Sequence, residues 1–265
     1  MTNNNPIGIF DSGLGGLTVF KELYNIRPTE DYIYFADTLN LPYGTKSKPA
    51  LIQITSKILD FFKTKNVKAV VIACNTTSAA AYEALKDNYD FKIYPIIQSV
   101  AEKFAELPVK KIGVLATPAT ANSHAYLREI KKYNPQIEVF EEPCFDWVQI
   151  VEDSKFDPVE AKQIIEEHLF KLLDYKVEKI ILGCTHYPYL LDRLSAYAPR
   201  EMFLNPAPVF ANAVLNDLYI KELFSDYIEN RAPEFYASSN PENFKNSSKF
   251  IFDFKEVNGI DYNRV

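Results

Sequence analysis

Residues 67–80 read VKAVVIACNTTSAA, and residues 177–190 read VEKIILGCTHYPYL. Each is a run of apolar residues that ends in a cysteine and passes into small hydrogen-bonding residues. A continuous apolar run of this length is expected for a strand buried on both faces of a parallel sheet. A second pair of echoes lies upstream of these, IGIFDS from Ile7 and IGVLAT from Ile112. Ile7 and Ile112 are 105 residues apart, and Val67 and Val177 are 110 apart. Two independent similarities at nearly one offset predict two related halves, each an alternation of strands and helices.

The rest of the chain keeps that rhythm. PIGIF leads into Asp11, Ser12 and Gly13, after which Leu17, Phe20 and Leu23 recur at helical spacing. DYIYFADT predicts a strand ending at Asp37. Residues 48–65 carry Leu51, Ile54, Ile58, Phe61 and Phe62 on one helical stripe, with Pro49 suited to its first turn. KIYPIIQS predicts a further strand. Asp157 and Pro158 read as the cap and first turn of a helix whose stripe is Ile164, Ile165, His168, Leu169, Leu172 and Leu173. Phe210, Val214, Leu215 and Leu218 suit a helix, and Phe250, Phe252 and Phe254 alternate as in a short strand. No linker composition marks a boundary. The division near residue 98 rests on the repeat alone.

Composition narrows the function classes. The 265 residues carry a net charge of −6, which gives no support to a nucleic-acid partner. Three cysteines are too few for a disulfide framework and leave at least one free thiol, which fits a reducing cytoplasm. The N-terminal MTNNNPIGIF lacks the basic and long apolar regions of a signal peptide, and no apolar run approaches the length of a membrane span.

In an alternating α/β sheet, ligands bind beyond the carboxyl ends of the strands. The tails of the apolar runs carry Asp11-Ser12-Gly13, Cys74-Asn75-Thr76, Thr117 and Cys184-Thr185-His186. A cysteine where a strand gives way to a helix sits near unpaired backbone N–H groups, which favour its thiolate and can also hold a carboxylate. A single cysteine there reads most simply as a small buried hydrophobe. Two matched ones, each followed by hydrogen-bonding residues, favour a facing pair of reactive thiols. Cys144, in EEPCFDW, has no such context and reads as structural. His186 either assists Cys184 or bonds a turn, and spacing alone does not separate the two. Asp11 is a turn residue, a helix cap or an acid/base group; a carboxylate beside a thiol opposes the thiolate unless a proton is shared. His124 and His168 are scattered, and no His/Cys spacing matches a structural zinc site. DSGLGGL is neither G-x-G-x-x-G nor a P-loop, and PYGTKS lacks the adjacent Gly-Lys of a P-loop.

Taken in order, IGIFDSGLGGLTV, PYGTK, ACNTTSA and LGCTHYP, with ATPAT and FYASSNPENF, resemble the glutamate racemases of the aspartate/glutamate racemase superfamily. These are cofactor-independent enzymes of bacterial cell-wall synthesis. The resemblance covers nearly the whole chain. It implies an α/β fold of two pseudo-symmetric domains, each a mostly parallel sheet flanked by helices, with the active site between them. Residues 1–98 with 208–265 would form the first domain and residues 99–207 the second. Cys74 and Cys184 match the two catalytic thiols, and Asp11 and His186 match their acid/base partners. Asp11, Ser12, Tyr43, Gly44, Asn75, Thr76, Thr185 and His186 match substrate-binding positions, with Thr117, Thr120 and Glu152 as further pocket positions.

The resemblance further implies no cofactor, no metal, a small-molecule substrate (L- or D-glutamate) and a cytoplasmic homodimer with no membrane or nucleic-acid partner. Two departures stand out. Thr77 replaces the usual Ala, and CFDWVQIVE before Glu152 is bulkier and more polar than the apolar segment expected. The short N-terminus argues against an activator-dependent form of the enzyme that uses an N-terminal extension. Two other readings remain: an aspartate or other amino-acid racemase, which shares the cysteines but resembles this chain less at DSGLGG, and a non-catalytic binding protein on the same fold. The last predicts loss of a thiol or of the carboxylate anchors, and this sequence retains both.

Overall fold

The apolar runs form parallel strands, and the amphipathic stretches between them form the crossovers. The structure, a computed structural model, describes residues 3–152 and 156–260. In chain order the first half runs β1 (Ile7–Asp11), α1 (Leu17–Ile26), β2 (Tyr32–Ala36), α2 (Lys48–Thr64), β3 (Ala69–Ile72), α3 (Asn75–Ala80), α4 (Tyr82–Leu85), β4 (Lys92–Pro95) and α5 (Ile96–Ala105). The second half runs β5 (Lys111–Ala116), α6 (Pro118–Asn122), α7 (Ala125–Tyr133), β6 (Glu138–Pro143), α8 (Trp147–Glu152), α9 (Pro158–Asp174), β7 (Lys179–Gly183), α10 (Leu191–Leu194) and β8 (Phe203–Leu204). The chain closes with α11 (Pro206–Ile220), β9 (Glu234–Ala237), α12 (Pro241–Ser247) and β10 (Asn258–Gly259).

Two sheets result, ordered β10-β9-β2-β1-β3-β4 and β6-β5-β7-β8. Strands of the first come from residues 7–95 and 234–259; those of the second come from residues 111–204. The repeat extends to the pairing itself. Ile7 pairs with Ala69 and Ile112 with Lys179, so the two echoes keep one register in both halves. Val70 pairs with Ile93 and Ile180 with Phe203, again displaced by one common offset of 110. β1, β2 and β3 are buried along their whole length, as continuous apolar strands between two helical layers must be.

Caps account for the helix starts. Ser47 accepts the Ala50 N–H ahead of α2, and Asp157 accepts the Val159 and Glu160 N–H groups ahead of α9. Between the sheets, α1, α5, α7 and α11 pack on one another and share a single core that draws Ile7 and Ile9 from the first sheet and Ile112, Val114 and Ile181 from the second. The boundary expected after residue 98 falls inside α5. Separate cores cover the outer face of each sheet. No described helix is long and apolar enough to cross a membrane.

Two expected strands differ. KIYPIIQS is a strand only to Pro95; Ile96 already begins α5, because a buried apolar run carries no periodicity to separate strand from helix. The residues around Phe250, Phe252 and Phe254 form no strand. Phe252 and Phe254 instead pack edge-on against Phe20 and Phe235, and Phe250 is exposed. Aromatic packing produced the alternation that a strand would also show.

Candidate active site

The matched registers bring the carboxyl ends of β1 and β3 to one level and those of β5 and β7 to another, and these two rims face each other across a seam between the halves. Cys74 follows β3 and caps α3 with extended backbone. Cys184 follows β7, and both thiols are buried and free of disulfides. The helix expected after each cysteine forms only at Cys74. Cys184 is followed by a 3-10 turn over Tyr187–Leu190, because Pro188 and the tight HYP sequence shape that corner. Its local partner is an imidazole: His186 Nδ1 lies 3.7 Å from the Cys184 sulfur.

His186 Nε2 is 2.7 Å from Glu152 Oε1, so the ring bridges thiol and carboxylate. Burial works against a charged imidazole, yet its bonds to Cys184 and Glu152 outweigh burial and raise the His186 pKa well above the ordinary value. Glu152 ends α8. Of the bulky CFDWVQIVE segment that departs from the family pattern, Trp147–Glu152 fold as that helix, with Trp147 and Ile150 filling the second core and Glu152 turned to the seam. Glu152 Oε1 also accepts the Leu14 N–H at 3.3 Å, which ties it to the first half.

Asp11 is fully buried. Its Oδ1 accepts the Gly13 N–H at 3.1 Å, and its Oδ2 accepts the Thr185 hydroxyl at 3.0 Å across the seam. It is therefore a turn residue and an inter-half acceptor, while Gly16 caps α1. Burial raises the Asp11 pKa, with the His186 charge pulling the other way. Cys74 is pushed up to about 12, first by burial and then by Asp11, against the Thr77 hydroxyl and N–H. A negative charge on Cys184 would push Cys74 up further, the smallest of these effects.

Hydroxyl and amide groups complete the rim. Thr76 and Thr117 bond across the seam at 2.9 Å, and Thr120 bonds Thr117 at 2.9 Å and Thr76 at 3.3 Å. Asn75 Oδ1 accepts the Tyr126 hydroxyl at 2.7 Å, and its buried Nδ2 has no partner among the described residues. Ser12 is buried beside Asp11. Tyr43 turns its hydroxyl to Asp37 Oδ2 at 2.5 Å. Gly44 lies against Thr117, where a Cβ would come within 2.8 Å of the threonine Cβ. Gly15 is placed against His186 and Thr185 in the same way, at 2.5 Å from each. Gly13, which faces Glu152, Gly15 and Gly44 are thus points of close approach between halves, whereas Gly16 packs within the first half against Asp11 and Tyr34.

Asp11, Gly44, Asn75, Thr76, Thr117, Thr120, Glu152, Thr185 and His186 make or adjoin contacts across this seam, and Cys74 and Cys184 stand at the strand ends beside it. Spacing gave no signal for Tyr126, or for Glu152 as the partner of His186, because both contacts join distant segments. Cys144 is buried in the second core with its sulfur 3.6 Å from the Glu142 carbonyl. His124 and His168 pair with Glu141 and Glu142.

The chain matches the Asp/Glu/hydantoin racemase family over residues 21–214. It is 38% identical over 255 residues to the glutamate racemase of Trichodesmium erythraeum, covering 96% of this chain and 94% of that protein. The crystal structure of glutamate racemase from Francisella tularensis in complex with D-glutamate superposes with a TM-score of 0.91 at 31% identity, covering 99% of both chains. That of glutamate racemase from Thermus thermophilus in complex with β-chloro-D-alanine gives 0.87 at 29% identity, again covering 99% of both.

Proposed function

Since the chain belongs to the Asp/Glu/hydantoin racemase family, and members matching nearly its full length are glutamate racemases, we propose that it interconverts L- and D-glutamate by a two-thiol 1,1-proton transfer without a cofactor. The observation that carries this reading is the equivalence of Cys74 and Cys184. They follow register-matched strands of the two halves, and both are buried at the ends of those strands.

Inverting an α-carbon requires a proton taken from one face and a proton returned to the other. One thiolate takes the α-proton and becomes a thiol; the opposite thiol gives its proton to the carbanion and becomes a thiolate. The raised Cys74 suits the proton donor at rest, and the His186 cation supplies a counter-charge beside Cys184. After one turnover the two sulfurs have exchanged protonation states. Asp11, at the Cys74 side, and the His186–Glu152 pair, at the Cys184 side, are the groups able to carry the compensating proton.

With no cofactor as electron sink, the developing negative charge must be met by fixed donors in a site closed to water. The Thr76, Thr117 and Thr120 hydroxyls line the rim where such donors are needed, and Asn75 Nδ2 beside them, without a partner among the described residues, can hold a substrate carboxylate. Ser12, Tyr43, Gly44 and Thr185 complete the binding surface in this reading. Residues 1–98 with 208–265 and residues 99–207 act as the two bodies that close on substrate.

The product D-glutamate would supply peptidoglycan synthesis in the cytoplasm, where three free thiols are stable. The resemblance supports a homodimer, which sedimentation velocity decides. The deciding experiment for activity is α-proton exchange of L- and D-glutamate in deuterated water, with Cys74→Ser and Cys184→Ser as controls. Both enantiomers should exchange and racemise, and either substitution should nearly abolish racemisation. No exchange with either hand would overturn the reading in favour of a binding protein. Exchange with aspartate at a higher kcat/KM would overturn the choice of substrate.

A further inference from the structure

Tyr126 belongs to none of the motifs that define the site, yet it touches a residue next to each thiol. It lies on α7 of the second half and is fully buried. Its ring packs against the backbone of Gly183, the residue before Cys184; a Cβ on that glycine would stand 3.1 Å from Tyr126 Cε2. Its hydroxyl crosses the seam and donates to Oδ1 of Asn75, the residue after Cys74, at 2.7 Å. Asn75 Nδ2 is then left buried and without a partner among the described residues.

An amide has two ends, and only one suits an anion. If the phenol accepted from Nδ2, the amide oxygen would face the cleft and repel a carboxylate. With the phenol as donor, the N–H₂ is the end left without a partner among the described residues and able to meet a substrate oxygen. Burial, with the Cys184 charge adding to it, pushes the Tyr126 pKa up, so the hydroxyl keeps its proton to donate. The bond also spans the halves, so the amide is aimed only when they are closed.

We propose that Tyr126 is a positioning residue for glutamate binding. Through its hydrogen bond to Asn75 Oδ1 it fixes the Asn75 amide with Nδ2 directed at a substrate carboxylate, and it does so only in the closed arrangement of the two halves. The proposal rests on the glutamate reading of the site.

Tyr126→Phe keeps the ring and removes the donor. The KM for L-glutamate and for D-glutamate should rise together, by about tenfold for one such bond, with a smaller change in kcat. In an Asn75→Ala background the same substitution should change nothing further, because a residue that acts through another has no effect once the other is gone. That comparison survives even if the single Tyr126→Phe variant fails to fold, since the double variant leaves no amide oxygen unpaired. Thermal melts of each variant separate a loss of fold from a loss of aim. An unchanged KM in Tyr126→Phe, or a further loss in the Asn75→Ala background, overturns the proposal. A wild-type protein that exchanges no α-proton of glutamate defeats the glutamate reading instead, so the two failures are distinguishable.

Discussion

Glu152 joins two things that the proposed proton transfer brings together: the His186 ring, through Nε2, and the first half, through the Leu14 N–H. Glu152→Gln keeps the shape and removes the charge. Burial lowers the His186 pKa, and Glu152 is one of the two partners that overcome it, so the substitution moves that pKa down. The sign follows directly. A group whose folded pKa is raised is charged below it, so work done by the cation is lost as pH rises through that value. The alkaline limb of the kcat/KM profile should therefore shift to lower pH in Glu152→Gln. The loss at neutral pH should be about tenfold to hundredfold, the usual size for a hydrogen bond to a charged group. It must be equal for both enantiomers, because the equilibrium constant between them is fixed at one. An alkaline limb that stays in place would show that His186 acts without its carboxylate. Residues of this kind mark the limit of sequence reading. Cys74, Cys184, Asp11 and His186 are legible because each sits at the tail of an apolar run. Glu152 and Tyr126 meet the site from helices 34 and 51 residues away from their partners, and no local spacing records such a contact.

α11 and β4 are joined by a charged cluster that holds the inter-sheet helices to the first sheet. Asp217 Oδ2 on α11 receives Lys92 at 2.8 Å, Tyr94 at 2.6 Å and Lys221 at 3.0 Å. Burial alone would raise this carboxyl; the three partners prevail and draw it down to about 2. A depressed folded pKa means stability that is present above the unfolded value of about 3.9 and lost as pH falls through the folded one. The site is substantially exposed, so its worth is discounted to about 1 kcal/mol. Asp217→Asn should lower the urea midpoint at pH 7, and the gap from wild type should close between pH 4 and pH 2. A gap that persists at pH 2 would mean the cluster acts by packing rather than by charge. At this scale the sequence was largely readable. Buried parallel strands are continuous apolar runs, and the halves repeat them closely enough to preserve pairing register. What failed were the second half of KIYPIIQS, where β4 gives way to α5, and the Phe250–Phe252–Phe254 stretch; there hydrophobicity reports burial and leaves the backbone conformation open.

The two halves are separate α/β layers that share one helical core and close along a seam where the chain comes nearest to itself at glycine. This predicts that some glycines govern activity and others stability, although both are small residues in apolar motifs. Gly15 faces His186 Nδ1 and Thr185 Oγ1, each 2.5 Å from the place a Cβ would take, and both belong to the opposite half. Gly8 faces the Phe62 ring at 2.7 Å, within the outer core of its own half. Neither adopts a positive φ, so alanine brings a steric effect and no backbone strain. Gly8→Ala overpacks a core and should cost about 1–3 kcal/mol, a fall of several degrees in melting temperature, with kcat/KM near wild type at permissive temperature. Gly15→Ala leaves each half's own packing intact but holds the rims apart. A misplacement on the order of 1 Å between catalytic groups costs about a hundredfold in rate, so kcat/KM should fall by at least that much while the melting temperature stays close to wild type. The pair is diagnostic because the effects are expected in opposite assays. A fully active Gly15→Ala enzyme would mean that the thiols work in a more open arrangement, and the inter-half bonds of Asp11, Thr76 and Asn75 would then have to be re-made by substrate.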